Sequence, residues 1–162
     1  MELQLKHLAV YLPYGLKVSI MGELKEPDSH EPIVFELVGL DTNYVEYHEI
    51  GRSVTEQAVF SDCFLILRPL SDLTKEIEVN GKKFVPIERL AKLAYGNFVY
   101  NEIKFNENEA WISVTDSQNR YGYSVSKDVN LLKYDVAIKL LEWHFDIHGL
   151  IEKGLAIDIN TF

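Results

Sequence analysis

The chain has 162 residues and a mass of 18.7 kDa, which predicts a single domain over residues 1–162. Apolar residues make up 47% and charged residues 25%, so the composition excludes wholesale disorder, collagen and coiled coil. The net charge of −9 makes direct binding to nucleic acid or to an anionic membrane unfavourable. The single cysteine, Cys63, cannot form an internal disulfide.

The first half of the chain carries short helical and strand patterns. An apolar stripe predicts a helix over residues 3–12, which Pro13 ends. Residues 23–32 have the prolines and acidic residues of a surface loop. Alternating or continuous apolar residues predict strands at 16–20, 33–40, 44–47 and 64–67.

The start of the chain does not resemble a secretory signal, because an acidic and a basic residue stand among its first apolar residues. The longest strongly apolar run, residues 64–67, is far too short to span a bilayer. We therefore expect a cytoplasmic protein that makes no membrane contact.

The middle of the chain has the clearest local pattern. Asn80 and Gly81 predict a two-residue turn between strands at 77–79 and 82–85. Pro86 suits the first position of an amphipathic helix that ends at Gly96. Further strand patterns predict a three-stranded meander at 98–105, 110–115 and 120–125, and a last strand at 155–159.

A long helix is predicted over residues 128–148, with Gly149 just past its end. Its apolar residues form two stripes on nearly opposite sides, so we expect it to be covered on both. The first stripe consists of Leu131, Tyr134, Ile138, Leu141 and Phe145. The second consists of Leu132, Val136, Leu140, Trp143 and Ile147. The edge between them that we expect to be exposed carries Asp135, Glu142 and Asp146.

Together these patterns predict an α+β fold. Mostly antiparallel strands, in hairpins and a meander, would pack on the long C-terminal helix. Short helices would lie near the N-terminus and in the middle of the chain.

The negative charge is concentrated in residues 23–62. This stretch holds ten acidic residues against Lys25 and Arg52, a net charge of −8. One interpretation is a solvated hairpin face that keeps the protein soluble and its edge strand unpaired. The other is a docking surface for a basic partner.

His144 and His148 have the i, i+4 spacing of a helical zinc site. On the predicted helix they lie about 40° apart, whereas Asp146 lies on the opposite side. No third ligand follows from the spacing, and a zinc site needs at least three protein ligands. The two histidines are therefore weak metal candidates, and two polar positions on a packed helix are the simpler interpretation.

Other catalytic motifs are absent from the sequence. Residues 51–55 lack the second glycine of a nucleophile elbow, and Gly149 and Gly154 are followed by Leu155 where a phosphate loop needs lysine. Cys63 stands beside Asp62, which disfavours the thiolate, so we expect a core or strand-edge cysteine. We predict no catalytic residue, no cofactor-binding residue and no cofactor.

Three segments resemble a group of small uncharacterised proteins from phages and integrated mobile elements of gut Bacteroidales bacteria. They are LQLKHLA with YLPYGLK (residues 3–9 and 11–17), ILRPLSDL (66–73), and EWHFD with GLIEKGLAIDIN (142–146 and 149–160). The resemblance implies a phage or mobile-element origin and an intracellular setting. It transfers no catalytic residue, and residues 23–62 and 97–126 lie outside it.

Two functional hypotheses follow. The first is a non-enzymatic accessory protein that binds a basic host or phage protein through the acidic stretch 23–62. The alternative is a metal-dependent hydrolase or nuclease-like enzyme whose site is assembled from distant residues, such as His144 or His148. Under either hypothesis a homodimer is compatible with a helix that carries two apolar stripes.

Overall fold

The computed structural model describes residues 3–21, 33–51, 53–96, 99–106, 109–115 and 119–161. The chain divides into two compact units, residues 1–69 with 140–162 and residues 70–139. This division does not test whether the chain folds as one domain, so the single domain over residues 1–162 stays a prediction. The predicted loop at 23–32 lies outside the described residues.

Eleven strands and three α-helices are present among the described residues. In chain order they are α1 (Leu5–Ala9), β1 (Lys17–Ile20), β2 (Phe35–Leu40), β3 (Tyr44–Glu49), β4 (Glu56–Val59), β5 (Cys63–Leu67), β6 (Ile77–Val79), β7 (Lys82–Phe84), α2 (Pro86–Tyr95), β8 (Val99–Phe105), β9 (Glu109–Thr115), β10 (Arg120–Ser126), α3 (Tyr134–Glu142) and β11 (Ala156–Asp158). The α+β class with mostly antiparallel strands is confirmed.

The first unit is built on a six-stranded sheet with the strand order β11-β5-β1-β2-β3-β4. All pairs are antiparallel except β11 with β5, which run parallel. Val18 of β1 lies between Phe35 of β2 and Leu65 of β5, and all three side chains are buried. Because side chains alternate along a strand, this row belongs to the core face of the sheet.

The second unit combines a hairpin, a helix and a meander. Asn80 and Gly81 both have positive φ, 51° and 73°, so the turn between β6 and β7 is the one predicted. Pro86 begins α2, which buries Ile87, Leu90 and Ala91 and packs on β9 and β10. The antiparallel order β10-β9-β8 confirms the predicted meander.

The prediction that the strands pack on a long C-terminal helix is wrong, because α3 covers only nine residues and ends at Glu142. The amide of Phe145 donates to the carbonyl of Leu140 and the amide of His144 to that of Leu141. His144 itself has a φ of 59°. These are the two bonds and the left-handed residue of a Schellman motif, which usually has glycine in the place of His144. The sequence therefore carries no strong stop signal at this point.

A tertiary contact accompanies this helix end. The amide of Arg68, just after β5, donates to the carbonyl of His144 at 2.8 Å, and its own carbonyl accepts from the amide of Asp146 at 2.8 Å. Residues 144–146 thus add a short parallel bridge beyond β5. Continued helix would have kept these backbone groups within itself, so long-range pairing overrides the helical pattern.

The burial predicted for the long helix holds for its apolar residues from Leu140 onward and fails at several other positions. Leu140, Leu141, Trp143, Phe145 and Ile147 are buried as expected, and Asp135 is exposed as expected. Leu131 is instead 71% exposed, and Ile138 and Glu142 are only partly buried. Asp146, predicted to be exposed, is buried. Leu131 is exposed because residues 129–131 form a 3₁₀ turn outside α3, so the predicted first stripe does not extend to it.

The helix end can be tested by replacing His144 with glycine and with alanine. At a left-handed position we expect His144→Ala to be less stable than His144→Gly by about 1 kcal/mol. Both variants lose the imidazole, so their difference reports the backbone alone. Denaturant unfolding measures it. In a continuing helix the order reverses, because glycine costs about 1 kcal/mol relative to alanine there.

One strand was missed from the sequence. β4 (Glu56–Val59) pairs with β3 and forms one edge of the first sheet, although its residues carry no alternating apolar pattern.

In the described part of the chain, no helix is both long enough and apolar enough to cross a bilayer.

Candidate binding cleft

The first unit contains a cleft of about 650 Å³, within the size range of ligand-binding pockets. Four parts of the unit form it: the start of α1 with the residues before it, the turn before β3, the segment from the end of β4 into β5, and the residues before β11. Its lining consists of Leu3, Gln4, Leu5, Thr42, Asn43, Val59, Phe60, Ser61, Cys63, Phe64, Gly154 and Leu155.

The lining is apolar with a few neutral polar groups, and no charged side chain belongs to it among the described residues. Six large apolar or aromatic residues supply most of the walls. Gln4, Thr42, Asn43 and Ser61 offer hydrogen-bond donors and acceptors without charge. A site of this kind binds an uncharged group by burial and directs it with neutral hydrogen bonds.

The thiol of Cys63 also belongs to the lining. Burial in β5 leaves it 3% exposed and raises the pKa of its thiol to about 12. A thiol with this pKa is protonated at neutral pH, and the thiolate is the reactive form. The protonated thiol therefore contributes a small apolar surface to the cleft wall. This agrees with the core position expected from the sequence.

Acidic residues adjoin the cleft on the side formed by the strands. Asp62 accepts a hydrogen bond from the hydroxyl of Ser61 at 2.8 Å, and Ser61 lines the cleft. Asp41 precedes the lining residue Thr42 and accepts from its backbone amide at 2.6 Å. Negative charge thus stands at the edge of an uncharged interior.

The same sheet carries more acidic residues on its polar face. Glu36 of β2 lies opposite His48 of β3, with 3.7 Å between carboxylate and imidazole. Glu46 lies opposite Gln57 of β4 and accepts a hydrogen bond from its amide at 3.0 Å. Glu36 and Glu46 therefore share the polar face of the β2–β3–β4 hairpins, whereas Glu49 and Glu56 stand opposite Phe35 and Tyr47, in register with the other face.

His144 and His148 do not share a helix face, because both lie beyond the end of α3. The Nε2–H of His144 donates to the carbonyl of Tyr14 at 2.8 Å. Nε2 of His148 is buried and has no hydrogen-bond partner among the residues that the structure describes, and its ring lies 6.1 Å from that of His7. Across the described ranges, no group of three or more His, Cys, Asp or Glu side chains is placed to hold a metal ion.

The buried side chains of Asp146 and Tyr11 each form hydrogen bonds with backbone groups in the same region. The two carboxylate oxygens of Asp146 accept from the amides of Leu150 and Ile151, each at 2.8 Å. The hydroxyl of Tyr11 donates to the carbonyl of Phe145 at 2.8 Å. Burial raises the pKa of Tyr11, and the charge of Asp146 raises it further. Both side chains therefore hold backbone in place, and neither is available as an acid or a base.

Sequence reasoning missed the cleft, Tyr11 and the role of Asp146. The lining comes from segments as far apart in the chain as Leu3 and Leu155, and only their packing creates the concavity. Tyr11 followed Leu8 and preceded Leu12 in an apolar helical stripe, which could have placed it in the core. No local pattern could have indicated its partner 134 residues away.

Protonation of the buried histidines should destabilise the fold. Nδ1 of His7 accepts a hydrogen bond from the amide of Gln4 at 3.2 Å, which requires the neutral imidazole at that nitrogen. Burial lowers the pKa of His7 and of His148 below 6.5, and nearby Lys6 and Lys153 lower both further. The charge of Asp146 opposes the shift at His148 without reversing it. The unfolded chain thus binds these protons first, so stability should fall as the pH drops below about 6.5.

Urea unfolding between pH 8 and pH 5 measures this effect. His148→Gln should flatten the decline, because the variant has lost one of the three histidines, His7, His144 and His148, whose pKa burial lowers. Ser124→Ala, at an exposed position whose side chain does not titrate in this range, is the control and should leave the slope unchanged. A slope that both variants share with the natural chain would contradict the assignment to His148.

No family model, no curated protein and no solved structure matches the chain.

Proposed function

We propose that the protein is a non-enzymatic, cytoplasmic accessory protein of a phage or mobile element, which binds a basic host or phage protein through the acidic stretch 23–62. One observation carries the proposal. The described parts of this stretch, residues 33–51 and 53–62, hold six acidic residues and no lysine or arginine. They are Glu36, Asp41, Glu46, Glu49, Glu56 and Asp62.

The arrangement of these residues supports a docking face over simple solvation. Glu36 and Glu46 share one face of the β2–β3–β4 hairpins, and Asp41 and Asp62 border the cleft. A concentrated negative field speeds the association of a positively charged protein and suppresses acidic competitors. It also disfavours direct contact with nucleic acid, whose backbone has the same sign of charge.

The hydrolase alternative finds no supporting geometry in the described residues. His144 is engaged with a backbone carbonyl, and His148 has only His7 as a neighbouring imidazole. Asp146 uses both oxygens on backbone amides. These groups hold the C-terminal turn, so we do not propose them as a metal centre.

The proposal is tested by capturing proteins from a lysate of a gut Bacteroidales host at low salt. A variant that neutralises the face should capture at least about tenfold less of any basic protein that the natural chain retains. It carries Glu36→Gln, Asp41→Asn, Glu46→Gln and Asp62→Asn. A matched variant neutralises four acids elsewhere and should capture normally. It carries Glu76→Gln, Glu109→Gln, Asp135→Asn and Glu152→Gln.

Salt provides the second readout. Capture through exposed charges should weaken as ionic strength rises, because the Debye length falls from about 10 Å at 0.1 M to about 3 Å at 1 M. Equal capture by the two variants, or capture that salt leaves unchanged, would overturn the proposal.

A further inference from the structure

The cleft beside the acidic face lacks an assigned ligand. We propose that it receives an apolar anchor side chain from a short basic segment of the partner protein, with lysine or arginine of that segment over Asp41 and Asp62. This inference rests on the proposed function and names the chemistry that the surface recognises.

The interior of the cleft selects an uncharged group. Leu3 and Leu5 line it from the segment that leads into α1, and Phe60 and Phe64 line it from the strand side. A charged side chain placed there would lose its hydration without gaining an ion pair, which is costly. An aliphatic or aromatic side chain gains roughly 25 cal/mol for each Å² of apolar surface that it buries.

The neutral polar groups suit a peptide backbone. Asn43, Thr42 and Ser61 are exposed residues in the lining, all on the strand side. Side-chain amides and hydroxyls can pair with the N–H and C=O groups that flank an anchor residue. The lining therefore accommodates both parts of an extended segment, its apolar side chain and its main chain.

The charges around the cleft indicate which residues should flank the anchor side chain in the partner segment. On the strand side, Asp41 and Asp62 stand next to lining residues, and Ser61 links one of them directly to the cleft. Across the cleft, Lys6 and Lys153 adjoin lining residues in the chain. Their charges act on His7 and His148, and the ammonium of Lys153 donates to the carbonyl of His148. The strand side of the cleft therefore complements a positively charged side chain of the partner segment.

Selection from a random dodecapeptide library displayed on phage, with the full chain as bait, tests the inference. The selected peptides should place lysine or arginine within a few residues of one aliphatic or aromatic position. The strongest binder is then synthesised with that position changed to serine. Affinity measured by fluorescence anisotropy should fall by about tenfold or more, the size expected for one hot-spot side chain.

Filling the cleft provides the variant test. Ser61→Phe should weaken binding of the selected peptide by about tenfold or more. Ser124→Phe, at an exposed serine of β10, is the matched control and should bind normally. Thr42→Phe offers a second block on the same wall, and circular dichroism establishes that each variant is folded.

The outcomes separate the two proposals. If the library yields no binder, or if binders tolerate both cleft-filling variants, the cleft is not the anchor site. In that case the acidic face can still pass its own lysate test. If peptides lose affinity on cleft filling but show no enrichment in basic residues, the assigned partner chemistry is wrong. An apolar peptide without charge would then be the ligand.

Discussion

Leu140→Ala should cost about 2–5 kcal/mol of folding free energy, because the side chain is fully buried at the C-terminal end of α3. Leu131→Ala should change stability by no more than about 0.5 kcal/mol, because that side chain is 71% exposed. Both variants remove the same atoms from leucines nine positions apart. Guanidinium unfolding of the two proteins measures the difference.

The pair distinguishes the observed fold from the helix that the sequence predicts. A continuous helix over 128–148 would bury Leu131 and Leu140 in opposite stripes, so both substitutions would be costly. Similar large losses for both variants would contradict the 3₁₀ turn at residues 129–131. Small losses for both would contradict the buried position of Leu140.

Local chemistry made much of the second unit predictable. Asn80 and Gly81 specify their turn because both adopt positive φ, which costs these residues little. Pro86 has the backbone angle that a first helical position requires, and an amphipathic pattern carries α2 to Gly96. The meander has adjacent strands and short turns, so near neighbours in sequence settle its pairing.

Long-range pairing escaped sequence reasoning. β11 lies parallel to β5, and β1 separates β5 from β2, arrangements that no local pattern encodes. The end of α3 depends on a bridge between Arg68 and Phe145, 77 positions apart, and on a left-handed histidine. Histidine tolerates this conformation better than most residues, but it is not a reliable stop signal.

The acidic stretch was visible in the sequence, whereas the cleft was not. A run of acidic residues is a property of composition, so counting charges finds it. The cleft depends on how α1 and residues 154–155 approach the strands. It is also uncharged among the described residues, so no motif search for catalytic groups would indicate it.

Asp146→Ala should destabilise the protein by about 3 kcal/mol or more, because the buried carboxylate accepts two backbone hydrogen bonds. Removing it leaves the amides of Leu150 and Ile151 without that acceptor, the first of them buried. Asp135→Ala, at an exposed position of α3, is the matched control and should stay within about 0.5 kcal/mol. Urea unfolding at pH 7 compares them.

Hydrogen exchange locates the effect of Asp146→Ala. The amides of Leu150 and Ile151 should exchange faster in the variant than in the natural chain, whereas the β9 amides should exchange at nearly the same rate under native conditions. Because Gly154 and Leu155 line the cleft and follow this turn, a loosened turn should also weaken the selected peptide. Unchanged exchange at both amides would show that the carboxylate does not hold the turn.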